Sequence, residues 1–447
     1  MTDRLESLTQ ALLDAARRAG AESADAIAVD GASVSVDIRA GRLEQAERAE
    51  SIELGLRVLM GGRQACVSVS DTSPATIAAV AERAVAMARE APQDPFAGLA
   101  DPEQLAQGWD LAALDLCDPG AEPAAAALED DARRAETAAM ARPGITQVEA
   151  SAAHSLRRVH LAASNGFSGG YARTSRSVSA VAFTGTGTGM ERDWAGESRI
   201  HHADLPTAES VGELAAERAL SRAGARKPVT GSYPVLFDER IASSLIGHLL
   251  SAVNGASVAR GSSWLRDALG QQVLPSGLSV IEDPLRPRIG GSRPFDAEGL
   301  ATRRRAIVQD GVLTGWTLDL ATARKLGMAS TASASRGTSS PPSPSTSNID
   351  LTQGSASRAD LIAGMGTGLW VTSLIGSSIN PTTGDYSRGA SGFWVENGEI
   401  TGPVNECTIA GNLRAMLMHI TPANDARAHL GTRVPSLLVE GMTLAGA

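Results

Sequence analysis

The chain has 447 residues, of which 43% are hydrophobic and 20% are charged, and its formal net charge is -10 at pH 7. This length exceeds what one ordinary hydrophobic core holds, so two domains are expected. The acidic balance argues against a nucleic-acid-binding protein, which normally carries a basic face. No stretch approaches the about 18 uninterrupted apolar residues of a membrane-spanning helix, so no membrane partner is expected.

Two further features indicate a cytoplasmic protein. The N-terminal residues alternate charged and apolar side chains at helical spacing and contain no apolar core of the signal-peptide type. Cys66, Cys117 and Cys407 are far apart and lack CxxC spacing, so they form neither a disulfide framework nor a zinc knuckle. A reducing compartment fits three isolated cysteines best.

The first half of the chain mixes helices with strands. Apolar residues recur at helical spacing in residues 5–18, and Gly20 ends the pattern. Ser73 followed by Pro74 is a favourable start for a second helix, which runs to about residue 91. The other predicted elements of this half are strands within 25–70, a helix at 124–142, strands at 145–153, 159–163 and 177–184, and a helix at 208–222.

The second half changes character near residue 228. From Gly231 onward most segments are typical of short strands between Gly, Ser and Pro turns, with one clear helix at 240–253. We therefore expect domains at 1–228 and 229–447. Residues 329–348 are rich in Ser, Thr and Pro, which predicts a mobile loop.

These patterns define the expected fold class. Helices and antiparallel strands are mixed without regular βαβ alternation, which indicates an α+β protein. We expect an N-terminal α/β domain with antiparallel strands and flanking helices. The C-terminal domain is predicted to be mainly antiparallel β, either a sandwich or an open barrel.

Residues 364–413 are the most distinctive part of the chain. They are dense in Gly, Ser, Thr and Asn, yet short apolar runs interrupt them, which indicates strands joined by tight turns. Residues 383–389 place a carboxylate, a phenol and a guanidinium between two glycines, which is typical of a loop that approaches a ligand or another backbone. Asp385 and Arg388 are interpreted either as a structural ion pair or as a clamp for a peptide backbone.

Several motifs of other chemistries are explained better as ordinary structure. Ser168 lies in a G-x-S-x-G motif, but the residues after it predict a strand, which favours a hairpin turn over a nucleophile elbow. Residues 185–189 and 364–368 are glycine-rich but lack the spacing of phosphate-binding loops. His201 and His202 are adjacent and would point to opposite faces of a strand, so a surface loop is expected for them.

His248 is a lone histidine on the predicted helix at 240–253. A helical zinc site needs a second histidine about one turn away and a glutamate beside the first. Leu249 and Val253 occupy those positions instead. A structural histidine that is hydrogen-bonded to a neighbour is the expectation from this pattern alone.

Five segments resemble the TldD/PmbA family, and specifically its TldE (PmbA) branch. The longest reads TGDYSRGASGFWVENGEI and is followed by PVNECTIAGNL, within residues 383–413. The resemblance covers essentially the whole chain and is most specific from Gly231 onward. The other segments are residues 243–252, 295–303, 323–327 and 365–369.

The resemblance implies a role in a heterodimeric, cytoplasmic zinc peptidase that degrades small unfolded polypeptides. In that family the TldD subunit carries zinc on a His-Glu-x-x-x-His helix, completed by a cysteine near the C-terminus, and its glutamate activates the water. Here His248 matches the first histidine, whereas Leu249 and Val253 replace the glutamate and the second histidine. No cysteine follows the Asn-Asp pair at 424–425. A lone imidazole cannot hold a catalytic zinc ion.

We therefore expect a TldE-type subunit with no catalytic residue, no metal ligand and no cofactor of its own, whose TldD-type partner carries the zinc. Cys407 is expected to be a small buried residue. The substrates would be small unfolded peptides, held as extended backbone by β-augmentation along residues 383–389 and 393–396. The candidate peptide-binding or channel residues are Thr383, Gly384, Asp385, Tyr386, Ser387, Arg388 and His248.

Two alternative functions belong to different classes. The first is a homodimeric peptide-binding or chaperone-like module without a peptidase role. A homodimer of the isolated chain is compatible with this function and with the subunit function. The second is a metal-free hydrolase that uses Ser168 or Ser387 as its nucleophile.

Overall fold

The computed structural model describes residues 2–446, and its N-terminal half is a long antiparallel sheet covered by helices. The elements of this half are α1 (Thr2–Arg18), β1 (Ser23–Arg39), β2 (Arg42–Met60), β3 (Arg63–Val69), α2 (Pro74–Glu90), α3 (Leu111–Leu114), α4 (Ala125–Met140), β4 (Ile145–Ala163), β5 (Ser168–Thr184), β6 (Glu191–Arg199) and α5 (Ala208–Ser221).

The six strands of this sheet lie in the order β3-β2-β1-β4-β5-β6. Helices α1 and α2 pack on one end of the sheet, and α4 and α5 pack on the other end. Alanines such as Ala26 and Ala180 stand at these contacts and let helix and strand backbones approach closely. Side chains alternate along a strand, so Ile27 lies on the face of the sheet opposite to Ala26 and the helices. On that face Ile27 belongs to a buried apolar cluster that includes Phe295 of the C-terminal half.

The predicted helices of this half are confirmed to within a few residues, and Ser73 caps α2 by accepting a hydrogen bond from the Thr76 amide. The strands are longer than predicted. The segments at 145–153 and 159–163 form one strand, because the polar residues between them are paired on both sides. Arg157, for example, lies opposite Gly31 of β1 and Arg173 of β5.

The C-terminal half is mostly short strands. Its elements are β7 (Gly231–Phe237), α6 (Glu239–Ala252), α7 (Gly255–Ala259), β8 (Val280–Glu282), β9 (Arg305–Gln309), β10 (Val312–Leu313), α8 (Leu320–Leu326), β11 (Ala334–Ser335), β12 (Ser343–Pro344), β13 (Ile349–Leu351), α9 (Arg358–Gly364), β14 (Gly368–Ile379), β15 (Asp385–Glu396), β16 (Glu399–Asn412), α10 (Leu413–Met418), β17 (Ile420–Pro422), β18 (Thr432–Arg433) and β19 (Leu437–Ala445).

Five of these strands close into a barrel in the order β16-β15-β14-β7-β19, since β16 also pairs with β19. The neighbours are antiparallel except β7 and β14, which are parallel. Helix α6 buries Leu245, Ile246 and Leu249 in the core of this half. The α+β class and the mainly antiparallel C-terminal domain are therefore confirmed, and the barrel is closed rather than open.

Residues 329–348 differ from the predicted mobile loop. The Arg336 side chain is buried and forms an ion pair with Asp25 of β1. The Thr338 backbone packs so tightly on β2 that a Cβ at Gly55 would lie 2.2 Å from the Thr338 carbonyl oxygen. The composition predicted solvent exposure, but small side chains also permit close backbone contact between the two halves of the chain.

The predicted domain boundary at residue 228 falls between α5 and β7 and stays a prediction. In residues 2–446, no helix is both long enough and apolar enough to cross a membrane.

Candidate functional site

The candidate site lies where helix α6 meets strand β15 of the barrel. His248 projects from α6 and Tyr386 from β15, and their rings make an edge contact with centroids 5.9 Å apart. Tyr386 is only 2% exposed. The fold thus brings together two of the residues that the sequence singled out separately.

Both side chains carry a buried polar atom without a partner. His248 Nε2 and Tyr386 Oη have no hydrogen-bond partner in the part of the chain that the structure describes. A buried polar group left unpaired costs about 1–3 kcal/mol, so such groups are rare in folded proteins unless they serve a function. We expected His248 to be hydrogen-bonded to a neighbour, and for its Nε2 atom this expectation is wrong.

The environment fixes the protonation of both groups. Burial, and then the positive charge of Arg388, lower the pKa of His248 below its usual 6.5. Burial raises the pKa of Tyr386 to about 12. At neutral pH the imidazole is therefore neutral and the phenol is protonated, so each can both donate and accept a hydrogen bond.

Asp385 and Arg388 do not form an ion pair, which was one of the two interpretations of their sequence. They are three residues apart on β15, so their side chains leave opposite faces of the strand. The Asp385 carboxylate accepts hydrogen bonds from Thr383 Oγ1 at 2.6 Å and Asn412 Nδ2 at 3.2 Å, and these two contacts lower its pKa. Arg388 Nε donates to the Gly376 carbonyl at 2.8 Å. The sequence places the two groups close together, but strand geometry separates them.

The remaining candidates of this segment divide between turn and strand. Gly384 is buried with φ of +81°, and a Cβ there would lie 3.3 Å from the ring of Trp264, so the turn favours glycine. Thr383 is exposed, and Ser387 is half-buried on β15. Strand β15 is paired on both sides, with β14 and β16, so β-augmentation along 383–389 and 393–396 is excluded for want of a free edge.

A groove of about 740 Å³ lies along α6 and β15; Gly247 and Arg388 line it, whereas His248 and Tyr386 do not. Arg222 lines the groove and donates hydrogen bonds to Asp193 at 2.7 Å, Ser391 at 2.9 Å and Thr372 at 3.2 Å. Because Asp193 belongs to the N-terminal half and the other two acceptors to the C-terminal half, Arg222 links the two halves of the chain. The volume falls within the usual range of about 300–1,000 Å³ for ligand sites. The lining includes Asp193, Trp194, Arg240, Ser243, Gly247 and Arg388.

Family models match three consecutive parts of this chain. The PmbA/TldA metallopeptidase C-terminal domain covers residues 230–446, domain 1 covers 24–88 and the central domain covers 118–223. The metalloprotease PmbA of Escherichia coli O157:H7 is 40% identical over 415 residues, which is 92% of this chain and 90% of that protein.

The chain belongs to the PmbA/TldD family.

Other relatives extend the match across the chain. The metalloprotease PmbA homolog of Haemophilus influenzae is 34% identical over 97% of this chain and 94% of its own length. A crystal structure of a protein described as a modulator of DNA gyrase, from Bacteroides thetaiotaomicron, superposes with a TM-score of 0.92 at 28% identity over 100% of this chain and 99% of that chain. TldE from Thermococcus kodakarensis shares the fold, with a TM-score of 0.83 at 18% identity over 98% of this chain and 100% of its own.

Two of the three positions that the resemblance aligns with a zinc motif at α6 hold apolar residues. Leu249 and Val253, at the positions of the glutamate and the second histidine, are fully buried in the apolar core. Among the side chains described, those of residues 4–446, no three of His, Cys, Asp or Glu lie close enough together to hold a metal ion. Asp425 instead accepts hydrogen bonds from the amide and hydroxyl of Ser436, each at 2.7 Å.

Three further expectations concern residues outside the site. Cys407 is a buried residue, as predicted: its Sγ lies 3.2 Å from the Ala390 carbonyl, and burial raises its pKa to about 11. Ser168 lies at the β4–β5 hairpin, which confirms the turn, and its Oγ is 3.4 Å from His160 Nε2. His201 is buried, and its Nε2 lies 3.1 Å from Asp115 Oδ1, so the prediction of a surface loop is wrong for this residue.

Sequence reasoning missed Arg222 and the groove that it supports. A single arginine near the end of a helix carries no local signal for contacts with strands more than a hundred residues later, and only the packing of the two halves reveals them.

Proposed function

We propose that this chain is the TldE-type subunit of a heterodimeric, cytoplasmic zinc peptidase that processes small unfolded peptides. Its TldD-type partner would supply the zinc and the general base, and this chain would form the opposite wall of the substrate channel. The proposal rests on two features of α6 and β15 taken together. Two buried polar atoms face no protein partner, and the positions of the zinc motif hold core leucine and valine.

This combination favours binding over catalysis. A neutral imidazole and a protonated phenol can pair with the backbone of any peptide, which suits substrates of varied sequence. Because β15 has no free edge, the peptide would be held by side chains rather than by strand addition. Trp194 lines the groove and is exposed, and Ile375 is exposed next in sequence to Leu374, which also lines it, so both would offer apolar surface to the partner subunit.

The Arg388→Ala variant tests this placement in the assembled complex. Arg388 lines the groove and influences the pKa of His248, so its loss removes a charged donor from the proposed channel. A hydrogen bond to a charged group contributes about 1.5–3 kcal/mol, so we expect cleavage of an unstructured peptide to fall about tenfold to a hundredfold while the heterodimer still forms. The measurement is peptide cleavage by the chain co-expressed with a TldD-type subunit.

The matched control is Arg142→Ala, because Arg142 is exposed beyond the end of α4 in the N-terminal half. It should leave both assembly and cleavage unchanged. Equal cleavage by the Arg388→Ala and Arg142→Ala complexes would remove Arg388 from the channel. A chain that forms homodimers alone and never binds the TldD-type subunit would favour the peptide-binding or chaperone-like module instead.

A further inference from the structure

A second cavity, of about 250 Å³, lies between the N-terminal sheet and the C-terminal half. It opens on the face of the sheet that the helices leave uncovered. Four arginines line it. Arg157 and Arg173 come from β4 and β5, and Arg293 and Arg336 come from the C-terminal half. Such a concentration of positive charge contrasts with the acidic balance of the whole chain.

Three of these guanidinium groups keep a buried donor unpaired. Arg173 Nε, Arg293 Nε and Arg336 Nη2 have no hydrogen-bond partner among the residues that the structure describes. The Arg336 side chain is 0% exposed, so bulk water cannot supply the hydrogen bond that its Nη2 lacks. Unpaired buried donors of charged groups cost more than neutral ones, so the three donors beside this cavity add to a positive charge that the protein leaves partly unneutralised.

The guanidinium groups are held in place by their other nitrogens. Arg293 donates from Nη1 to the Ala334 carbonyl and from Nη2 to the Ser345 carbonyl, both at 3.0 Å. Arg173 donates from Nη2 to the Ser292 carbonyl. The donors around the cavity are therefore set before any ligand arrives, which reduces the entropy lost on binding.

The negative groups nearby are already engaged. Asp296 also lines the cavity, but its carboxylate accepts from the amides of Glu298 at 2.9 Å and of Leu300 and Ala334 at 3.0 Å. Asp25 is paired with Arg336. Burial, and repulsion from Arg157 and Arg293, lower the pKa of Arg173, as expected for a cation without its own counter-charge.

The walls of the cavity are aromatic and aliphatic. Tyr171 and Phe295 meet edge to face with centroids 5.6 Å apart, and Ile27 and Leu161 complete the apolar side. We propose that this cavity binds an oxyanion, a carboxylate or phosphate group, carried by a small ligand with an apolar part. The guanidinium groups would hold the oxyanion, since arginine matches its geometry, and the rings would cover the rest.

The proposal gives a role to residues 329–348, because Ser335 and Arg336 of that segment form one wall of the cavity. Ligand binding and docking of the segment onto the N-terminal sheet would therefore stabilise each other.

Calorimetric titration of the full chain tests the proposal, with hippurate, inorganic phosphate and neutral hippuramide as probes at matched ionic strength. We expect saturable binding of hippurate or phosphate at one site per chain and none of hippuramide. Tighter binding of hippurate identifies a carboxylate ligand, and tighter binding of phosphate identifies a phosphorylated one. Absence of saturable binding for both anions, or equal binding of hippuramide, would overturn the proposal.

The Arg173→Met variant should weaken binding of the preferred anion at least tenfold, whereas Arg83→Met, at an exposed position on α2, should not change it. If Arg173→Met fails to fold, Arg157→Gln at an exposed position serves instead and should weaken binding at least threefold. Unchanged affinity in the folded variant would place the anion elsewhere and overturn the assignment.

Discussion

Replacing Asp25 with asparagine is expected to lower the free energy of unfolding by about 3–5 kcal/mol, the usual result of removing one partner from a buried ion pair. Asp25 is buried between two arginines: Arg57 Nε donates to it at 2.7 Å, and Arg336 reaches it from the C-terminal half. The amide would leave two buried guanidinium groups without their counter-charge. The measurement is urea unfolding followed by circular dichroism at pH 7.

The Asp267→Asn variant is the control, since its ion pair with Arg266 is exposed and should contribute no more than about 1 kcal/mol. Burial alone would raise the pKa of Asp25, but the charges of Arg336 and Arg57 outweigh it and hold the pKa below 3.8. The stabilisation by Asp25 is therefore complete above its unfolded pKa and is lost as the pH falls through the lower folded pKa. A loss at pH 7 no larger than that of the control would contradict this interpretation.

Replacing Tyr386 with phenylalanine is expected to reduce peptide cleavage by the proposed heterodimer about tenfold or more while leaving the chain as stable as before, or more so. The hydroxyl has no partner within the described chain, so its removal deletes an unpaired buried group rather than a structural hydrogen bond. If the same hydroxyl donates to the substrate, cleavage loses about 1–2 kcal/mol of binding. Steady-state cleavage and urea unfolding are measured on the same preparation.

Tyr233→Phe is the matched control, because Tyr233 packs edge to face on Trp394 of the same barrel, with centroids 5.0 Å apart. It should leave cleavage unchanged. A Tyr386→Phe variant that is less stable by more than about 1 kcal/mol, with unchanged cleavage, would assign Tyr386 a structural role.

Elements with local signals were predicted well. Ser73 caps α2, as its position before Pro74 predicted, and the helix predicted at 240–253 is α6, Glu239–Ala252. Such features depend on a few neighbouring residues, so the sequence carries them directly.

Features that depend on distant contacts were not predicted. Closure of the barrel rests on the pairing of β16 with β19, which no local pattern encodes. Arg336 lies in a segment whose composition indicates mobility, yet its side chain is buried and forms an ion pair with Asp25. Tyr386 and His248 were both singled out, but their contact follows from the packing of α6 on the barrel.

The central claim is that this chain serves a zinc peptidase without holding its zinc. Zinc content and cleavage of an unstructured peptide, measured on the isolated chain and on the chain mixed with a TldD-type subunit, test it most directly. We predict that the isolated chain holds no stoichiometric zinc and cleaves no peptide. The mixture is predicted to hold zinc and to cleave the peptide. Stoichiometric zinc together with cleavage by the isolated chain would contradict the claim.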